Sequence, residues 1–84
     1  MKIIFSGNAW DDYLYWQKTD KKKVKRINEL VRDIDRNKYE GIGKPEPLRH
    51  NLAGWWSQRI DGEHRIVYKI QDDSIFLAQL RYHY

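Results

Sequence analysis

The sequence predicts a small α+β fold. Two N-terminal helices pack on one face of a small, mainly antiparallel sheet, in the order β-α-α-β-β-β. Three observations predict it. Apolar residues recur at helical spacing between residues 9 and 36. Residues 55–82 alternate in strand fashion and are broken by turn residues. A short apolar run opens the chain ahead of both. The helical stripes need an apolar surface, which one sheet face must supply. The other face is then free to be polar.

Eighty-four residues fit one domain, residues 1–84, with no room for a second. Sixteen Lys and Arg against twelve Asp and Glu give a net charge of +4. That excess favours an anionic partner such as nucleic acid or an acidic protein. Cysteine is absent, which excludes disulfides, thiolate metal sites and cysteine nucleophiles. No apolar run approaches the ~20 residues of a membrane span, and no signal-peptide pattern is seen. Four Trp and six Tyr either fill a small core or offer faces on which bases stack. Core filling is the commoner use.

Lys2-Ile3-Ile4-Phe5 reads as the first strand, and Ser6, Gly7 and Asn8 can start a helix. From Ala9 to Lys18, the positions Trp10, Tyr13, Leu14 and Gln17 follow helical spacing. Asp11 and Asp12 lie in the first turns, where the helix dipole favours anions. Asp20 is the expected N-cap of the second helix. Val24, Ile27, Leu30, Val31 and Ile34 form its apolar stripe, and Lys21, Lys22, Lys23, Lys25, Arg26, Arg32 and Arg36 its basic face. Between Tyr39 and Leu48, Gly41, Gly43, Pro45 and Pro47 argue against regular structure and predict a functional loop. Three strand candidates follow at 55–61, 64–70 and 74–82, joined by turns at Gly62 and at Gln71-Asp72-Asp73.

Alternation assigns the faces. In the last strand Phe76, Ala78, Leu80 and Tyr82 are expected to face the helices. Ile75, Leu77, Gln79, Arg81 and His83 would lie opposite. In the preceding strand Ile66, Tyr68 and Ile70 form the core set, leaving Arg65, Val67 and Lys69 on the other side. A three-residue Asp61-Gly62-Glu63 loop would set Arg59 across from Arg65 on one face; a two-residue loop would separate them. The longer loop is preferred because it also sends Ile60 to the core. Two opposed arginines repel unless an anion lies between them, which suits a phosphate clamp. Pairing of both with nearby acids on a solvated surface is at least as common.

The three histidines, His50, His64 and His83, lack metal-ligand spacing, so no metal or other cofactor is expected. His64 beside a turn reads as an inert surface residue. His83 extends the polar face carrying Arg81 and Arg65. Glu46 is braced between two prolines, which lowers the entropy cost of positioning its carboxylate. A solvent-facing glutamate in a Pro-rich turn is the commoner fate of such a residue. Together, a carboxylate base, an imidazole acid and an arginine are the parts needed for metal-free RNA transesterification. Histidine has an ordinary pKa of ~6.5, so such an acid would become competent mainly once a substrate phosphate is nearby.

Lys44-Pro45-Glu46-Pro47-Leu48, Trp56-Ser57, Arg59-Ile60, Glu63-His64-Arg65-Ile66-Val67-Tyr68 and Arg81-Tyr82-His83-Tyr84 resemble the YoeB (Txe) toxins of the RelE/ParE superfamily. Trp10-Asp11-Asp12-Tyr13 and Tyr15-Trp16 fit as well. The resemblance implies a bacterial, cytoplasmic toxin of a type II toxin–antitoxin system. It implies a ribosome-dependent endoribonuclease that cuts mRNA in the A site and stops translation. A cognate YefM-type antitoxin and commonly a toxin homodimer are implied as partners. By matching position, Glu46 would be the general base, His83 the general acid and Arg65 the phosphate stabiliser. Tyr84 would position substrate or acid, with Arg49, His50 and Arg59 as supporting contacts. Arg49 stands where lysine is frequent, and Gln58 where a second arginine is frequent. The Gln58 departure would remove a charge beside Arg59. Two other readings fit the residues. One is a non-catalytic RNA- or ribosome-binding module. The other is a ParE-like gyrase-directed toxin on the same fold.

Overall fold

The computed structural model describes residues 1–82. Its elements follow in chain order: β1 (Lys2–Phe5), α1 (Gly7–Thr19), α2 (Lys21–Asn37), β2 (Glu46–Pro47), a 3-10 turn (His50–Leu52), β3 (Trp56–Arg59), β4 (Arg65–Gln71) and β5 (Ser74–Gln79). Both helices start where their caps predict. The Ser6 hydroxyl accepts from the Ala9 amide at 3.0 Å, and Asp20 accepts from the Lys22 amide at 3.0 Å. The strands form one mixed sheet in the order β1-β5-β4-β3-β2. Only β1 runs parallel to its neighbour, β5; the other pairs are antiparallel.

Ile27, Leu30 and Ile34 of α2 and Ala9 and Trp16 of α1 are buried against Ile60, Ile66, Tyr68, Ile75, Leu77 and Leu80. Val24 and Val31 flank this core. Each fully buried aliphatic side chain contributes roughly 1.5–3 kcal/mol. The α2 stripe is therefore as expected. The α1 stripe is not: Trp10 and Leu14 are largely exposed, and Asp12 is buried in their stead. Asp12 accepts a hydrogen bond from the Leu80 amide at 2.9 Å. It serves a distant backbone group, and not the dipole of its own helix.

The last strand is also corrected. Ile75 and Leu77 are buried in the core, whereas Phe76 faces away from it and packs beside Lys69. Tyr68 pairs with Leu77 but Val67 pairs with Gln79, so Ala78 is an extra residue on β5. This bulge inverts the alternation and returns Leu80 to the core. The Ala78 carbonyl accepts from the Ser6 hydroxyl at 3.0 Å and from Asn8 at 3.3 Å. Beyond the bulge the Arg81 guanidinium lies 3.5 Å from the Tyr15 ring centroid on α1, so it does not share the sheet face of Arg65. Tyr82, expected in the core set, is exposed.

The loop before β3 is more ordered than its prolines suggest. Glu46 and Pro47 pair with Ser57 and Trp56 as a two-residue edge strand, where a missing proline N–H is tolerated. Asp33 of α2 ties down its start by accepting from the Ile42 amide at 3.0 Å. The Gly43 carbonyl accepts from the Arg59 amide at 2.7 Å. A Cβ at Gly43 would lie 2.8 Å from the Gln58 Cβ and 2.9 Å from Leu30 Cδ2, so only glycine fits this approach.

The hairpins follow their turn residues. Asp72 and Asp73 both take positive φ, 51° and 57°, between the paired Gln71 and Ser74. The three-residue Asp61-Gly62-Glu63 loop closes with Ile60 N–H donating to the His64 carbonyl at 2.9 Å. Arg59 accordingly pairs with Arg65. His64 is not an inert surface residue: it is buried, edge-on to Trp16, and its Nδ1 accepts from the Tyr82 amide at 2.8 Å.

Candidate active site

Glu46, Ser57, Val67 and Gln79 are register partners across β2, β3, β4 and β5. Arg65 and Arg59 form the next pair along β4 and β3. With period-two alternation, all of these residues share the sheet face opposite the helices. From its place beside Val67, the Arg65 guanidinium reaches diagonally across the sheet. Its Nη1 lies 3.0 Å from Glu46 Oε1 and donates to Ser57 Oγ at 3.1 Å.

The two partners of this ion pair differ in exposure. The Arg65 side chain is 8% exposed and the Glu46 side chain 51%. A guanidinium this buried needs charged and polar partners, because desolvation would otherwise disfavour it. Glu46 keeps its other carboxylate surface toward solvent. The arrangement offers a substrate a reachable carboxylate next to a fixed cation. Pairing at the β2 edge and the two prolines hold that carboxylate in place.

Glu46 also lines a depression of about 470 Å³ with Pro47, Leu48, Arg49, His50 and Leu52. Arg49 and His50 are exposed there. His50 takes φ 57°, a left-handed conformation at the start of the 3-10 turn. The structure thus brings Glu46 and Arg65 together and sets Arg49 and His50 along the same loop as Glu46. Arg59 is exposed beside Arg65 at the hairpin end. His83 and Tyr84 lie outside the described residues. The last described residue, Tyr82, accepts from the Arg65 amide through its carbonyl at 3.0 Å.

Two features were missed from the sequence. Ser57 is fully buried and bonded to Arg65. Its shared parity with Glu46 and Arg65 was the signal, legible only once the β2–β3 pairing is known. Gln58 is the second. It is fully buried on the core face, and its amide donates to the Tyr68 hydroxyl at 3.1 Å. Alternation sends it away from Arg59, so glutamine there removes no charge from the arginine face. Burial pushes the Tyr68 hydroxyl up to about 12, against the bond from Gln58, which lowers it.

The basic face of α2 is divided. Lys21, Lys22 and Lys25 are exposed, whereas the Lys23 ammonium lies 2.5 Å from Asp61. Burial alone would raise the Asp61 carboxyl. The Lys23 bond and the amides of His64 and Glu63 outweigh it, bringing the group down to about 2. No helix among the described residues is long and apolar enough to cross a membrane.

Known proteins resemble this chain over its whole length. Residues 5–84 match the family model described as the YoeB-like toxin of bacterial type II toxin-antitoxin system. The chain is 62% identical to the toxin YoeB of Escherichia coli strain K12, covering 100% of both chains. Its fold superposes on a YoeB/ParE toxin from Agrobacterium tumefaciens with a TM-score of 0.97 at 44% identity, covering 100% of both. A YoeB–YefM complex from Staphylococcus aureus gives 0.93 at 53% identity, covering 100% of this chain and 98% of that one. A helical pair on a five-stranded sheet, a proline-braced Glu46 joined to Arg65, and full-length likeness at this level lead to one conclusion: the chain belongs to the family of YoeB-like toxins of bacterial type II toxin–antitoxin systems.

Proposed function

We propose that this toxin is a ribosome-dependent endoribonuclease that cuts mRNA in the A site and thereby stops translation. The 3.0 Å pairing of Glu46 with Arg65 carries the reading. A carboxylate and a guanidinium held together on one sheet face can embrace one ribose–phosphate unit. Glu46 takes the proton of the 2′-hydroxyl, and the freed oxygen attacks the adjacent phosphorus. Arg65 stabilises the charge that grows on the phosphoryl oxygens. His83 gives a proton to the leaving 5′-oxygen as the P–O5′ bond breaks. The products are a 2′,3′-cyclic phosphate and a free 5′-hydroxyl. Tyr84 positions substrate or acid, while Arg49, His50 and Arg59 bind flanking phosphates. DNA lacks the nucleophile and is inert.

Support for a role of the C-terminal end comes from Tyr82, whose carbonyl accepts from the Arg65 amide. Support for the partners comes from relatives. The Staphylococcus aureus YoeB has been solved with YefM and as a dimer. A YefM-type antitoxin and a homodimer are the corresponding partners here, in the bacterial cytoplasm. The test maps cut ends on translated mRNA with the unaltered protein and a Glu46→Gln variant. Cyclic-phosphate ends in A-site codons, lost in the variant, support the proposal. Ribosome binding without cleavage would identify a non-catalytic module, and replication arrest without cleavage a gyrase-directed toxin.

A further inference from the structure

We infer that Asp12, Trp16 and His64 form a side-chain clamp on the backbone of residues 80–82, and that they are positioning residues for the acid at residue 83. The inference rests on the nuclease reading above. It begins where the sheet ends. β5 stops at Gln79, so the next three residues lack a full ladder, yet their backbone groups are bonded. The Leu80 amide donates to Asp12 Oδ2 at 2.9 Å, and the Leu80 carbonyl accepts from Trp16 Nε1 at 2.8 Å. The Arg81 carbonyl accepts from Gln79 Nε2 at 3.0 Å. The Tyr82 amide donates to His64 Nδ1 at 2.8 Å, and its carbonyl accepts from the Arg65 amide at 3.0 Å.

All three clamp residues are buried, with Asp12 8%, Trp16 6% and His64 9% exposed. They also brace one another, as the Trp16 and His64 rings meet edge-to-face with centroids 4.8 Å apart. Asp12, Tyr15 and Trp16 share one face of α1 by their i, i+3, i+4 spacing. Tyr15 adds the ring that carries the Arg81 guanidinium. A buried carboxylate is a costly way to fill space. Burial pushes the Asp12 carboxyl up, while the Leu80 amide and Arg81 pull it back. An apolar residue would avoid that cost but leave the Leu80 amide without its acceptor.

Backbone conformation supplies an independent reason for the clamp. Tyr82 takes φ 66°, a left-handed conformation that a bulky residue adopts only when its surroundings hold it. Both backbone polar groups of Tyr82 are held, one by His64 and one by its neighbour Arg65. The clamp therefore fixes the backbone of Tyr82 beside Arg65, the arginine that pairs with Glu46. It also accounts for Asp12 and the Tyr15-Trp16 pair, which supply no group to the proposed chemistry.

The test uses the full-length toxin with His64→Leu, His64→Asn and Trp16→Phe. Asparagine offers an oxygen near the place of Nδ1; leucine offers none. Phenylalanine removes the indole N–H and keeps most of the ring. Single-turnover cleavage on programmed ribosomes should fall about 10–100-fold in His64→Leu and Trp16→Phe, the scale expected for a small misplacement of a catalytic group. Ribosome affinity should stay within about threefold, and His64→Asn should recover most of the rate. Amide hydrogen exchange at Tyr82 should speed up about tenfold or more in His64→Leu. Unchanged exchange overturns the clamp, whatever the cleavage results. Faster exchange with unchanged cleavage, or a parallel fall in affinity and rate, overturns the positioning role. The unaltered protein, run alongside, tests the nuclease reading separately: an absence of cut ends removes that reading and not the clamp's geometry.

Discussion

Arg65 and Glu46 come from strands that are not neighbours, yet Nη1 and Oε1 lie 3.0 Å apart across the intervening β3. The arginine is buried and the carboxylate half exposed, so the pair has a structural end and a reactive end. The two residues should respond differently to substitution.

Glu46→Gln should lower the melting temperature only modestly, because the amide oxygen can still accept from the buried Arg65 guanidinium although the carboxylate charge is lost. Arg65→Ala should be costlier. It strips the fully buried Ser57 hydroxyl of a partner, a loss of about 1–3 kcal/mol. Both should reduce cleavage by 10²-fold or more. Thermal melts and single-turnover assays on the two variants check this. An Arg65→Ala protein as stable as the unaltered one would contradict it.

Removing residues 83 and 84 should abolish cleavage and shift the melting temperature little. Among the described residues the buried set closes at Leu80, and Tyr82 is exposed. Circular dichroism melts beside a cleavage assay decide the point; a truncated chain that unfolds would show those residues to be part of the core.

Asp61 makes stability depend on pH in acid. Its folded-state carboxyl sits at about 2, below an ordinary value of 3.8. The unfolded chain therefore binds a proton first as pH falls. The stabilisation is nearly complete above about pH 4 and is lost as pH falls through about 2. With screening of this partly exposed group, it amounts to about 1 kcal/mol. Asp61→Asn should be less stable than the unaltered protein at pH 7, and the gap should shrink as pH falls from about 4 through about 2. Urea melts across that range measure it, and a gap of constant size would refute the assignment.

The exposed lysines of α2 are separable from the paired one. If this face docks on ribosomal RNA, replacing Lys22 and Lys25 by Gln should weaken ribosome association and flatten its salt dependence. Lys23→Gln should chiefly lower stability, through Asp61. Salt titrations of binding separate the two effects, and unchanged association in the double variant would remove α2 as a docking surface.

Local signals in the chain were sufficient for much of this. Ser6 and Asp20 cap the helices because a short polar side chain there can reach an orphan amide two or three residues on. The α2 stripe and the Arg59–Arg65 pairing followed from periods of 3.6 and 2 and from a three-residue turn. The bracing of Glu46 by Pro45 and Pro47 needed only their fixed rings. Tertiary structure alone decided the rest. No local rule announces the extra residue at Ala78, since a bulge is set by its partners across the sheet and by Ser6 and Asn8 at its carbonyl. That one residue reversed the expected faces of Ile75, Phe76 and Leu77. Asp12 and His64 looked like a helix-end anion and an idle turn residue because their bonding partners stand 68 and 18 positions away. Periodicity reports which side of an element a residue occupies; what waits on that side is fixed by long-range contact.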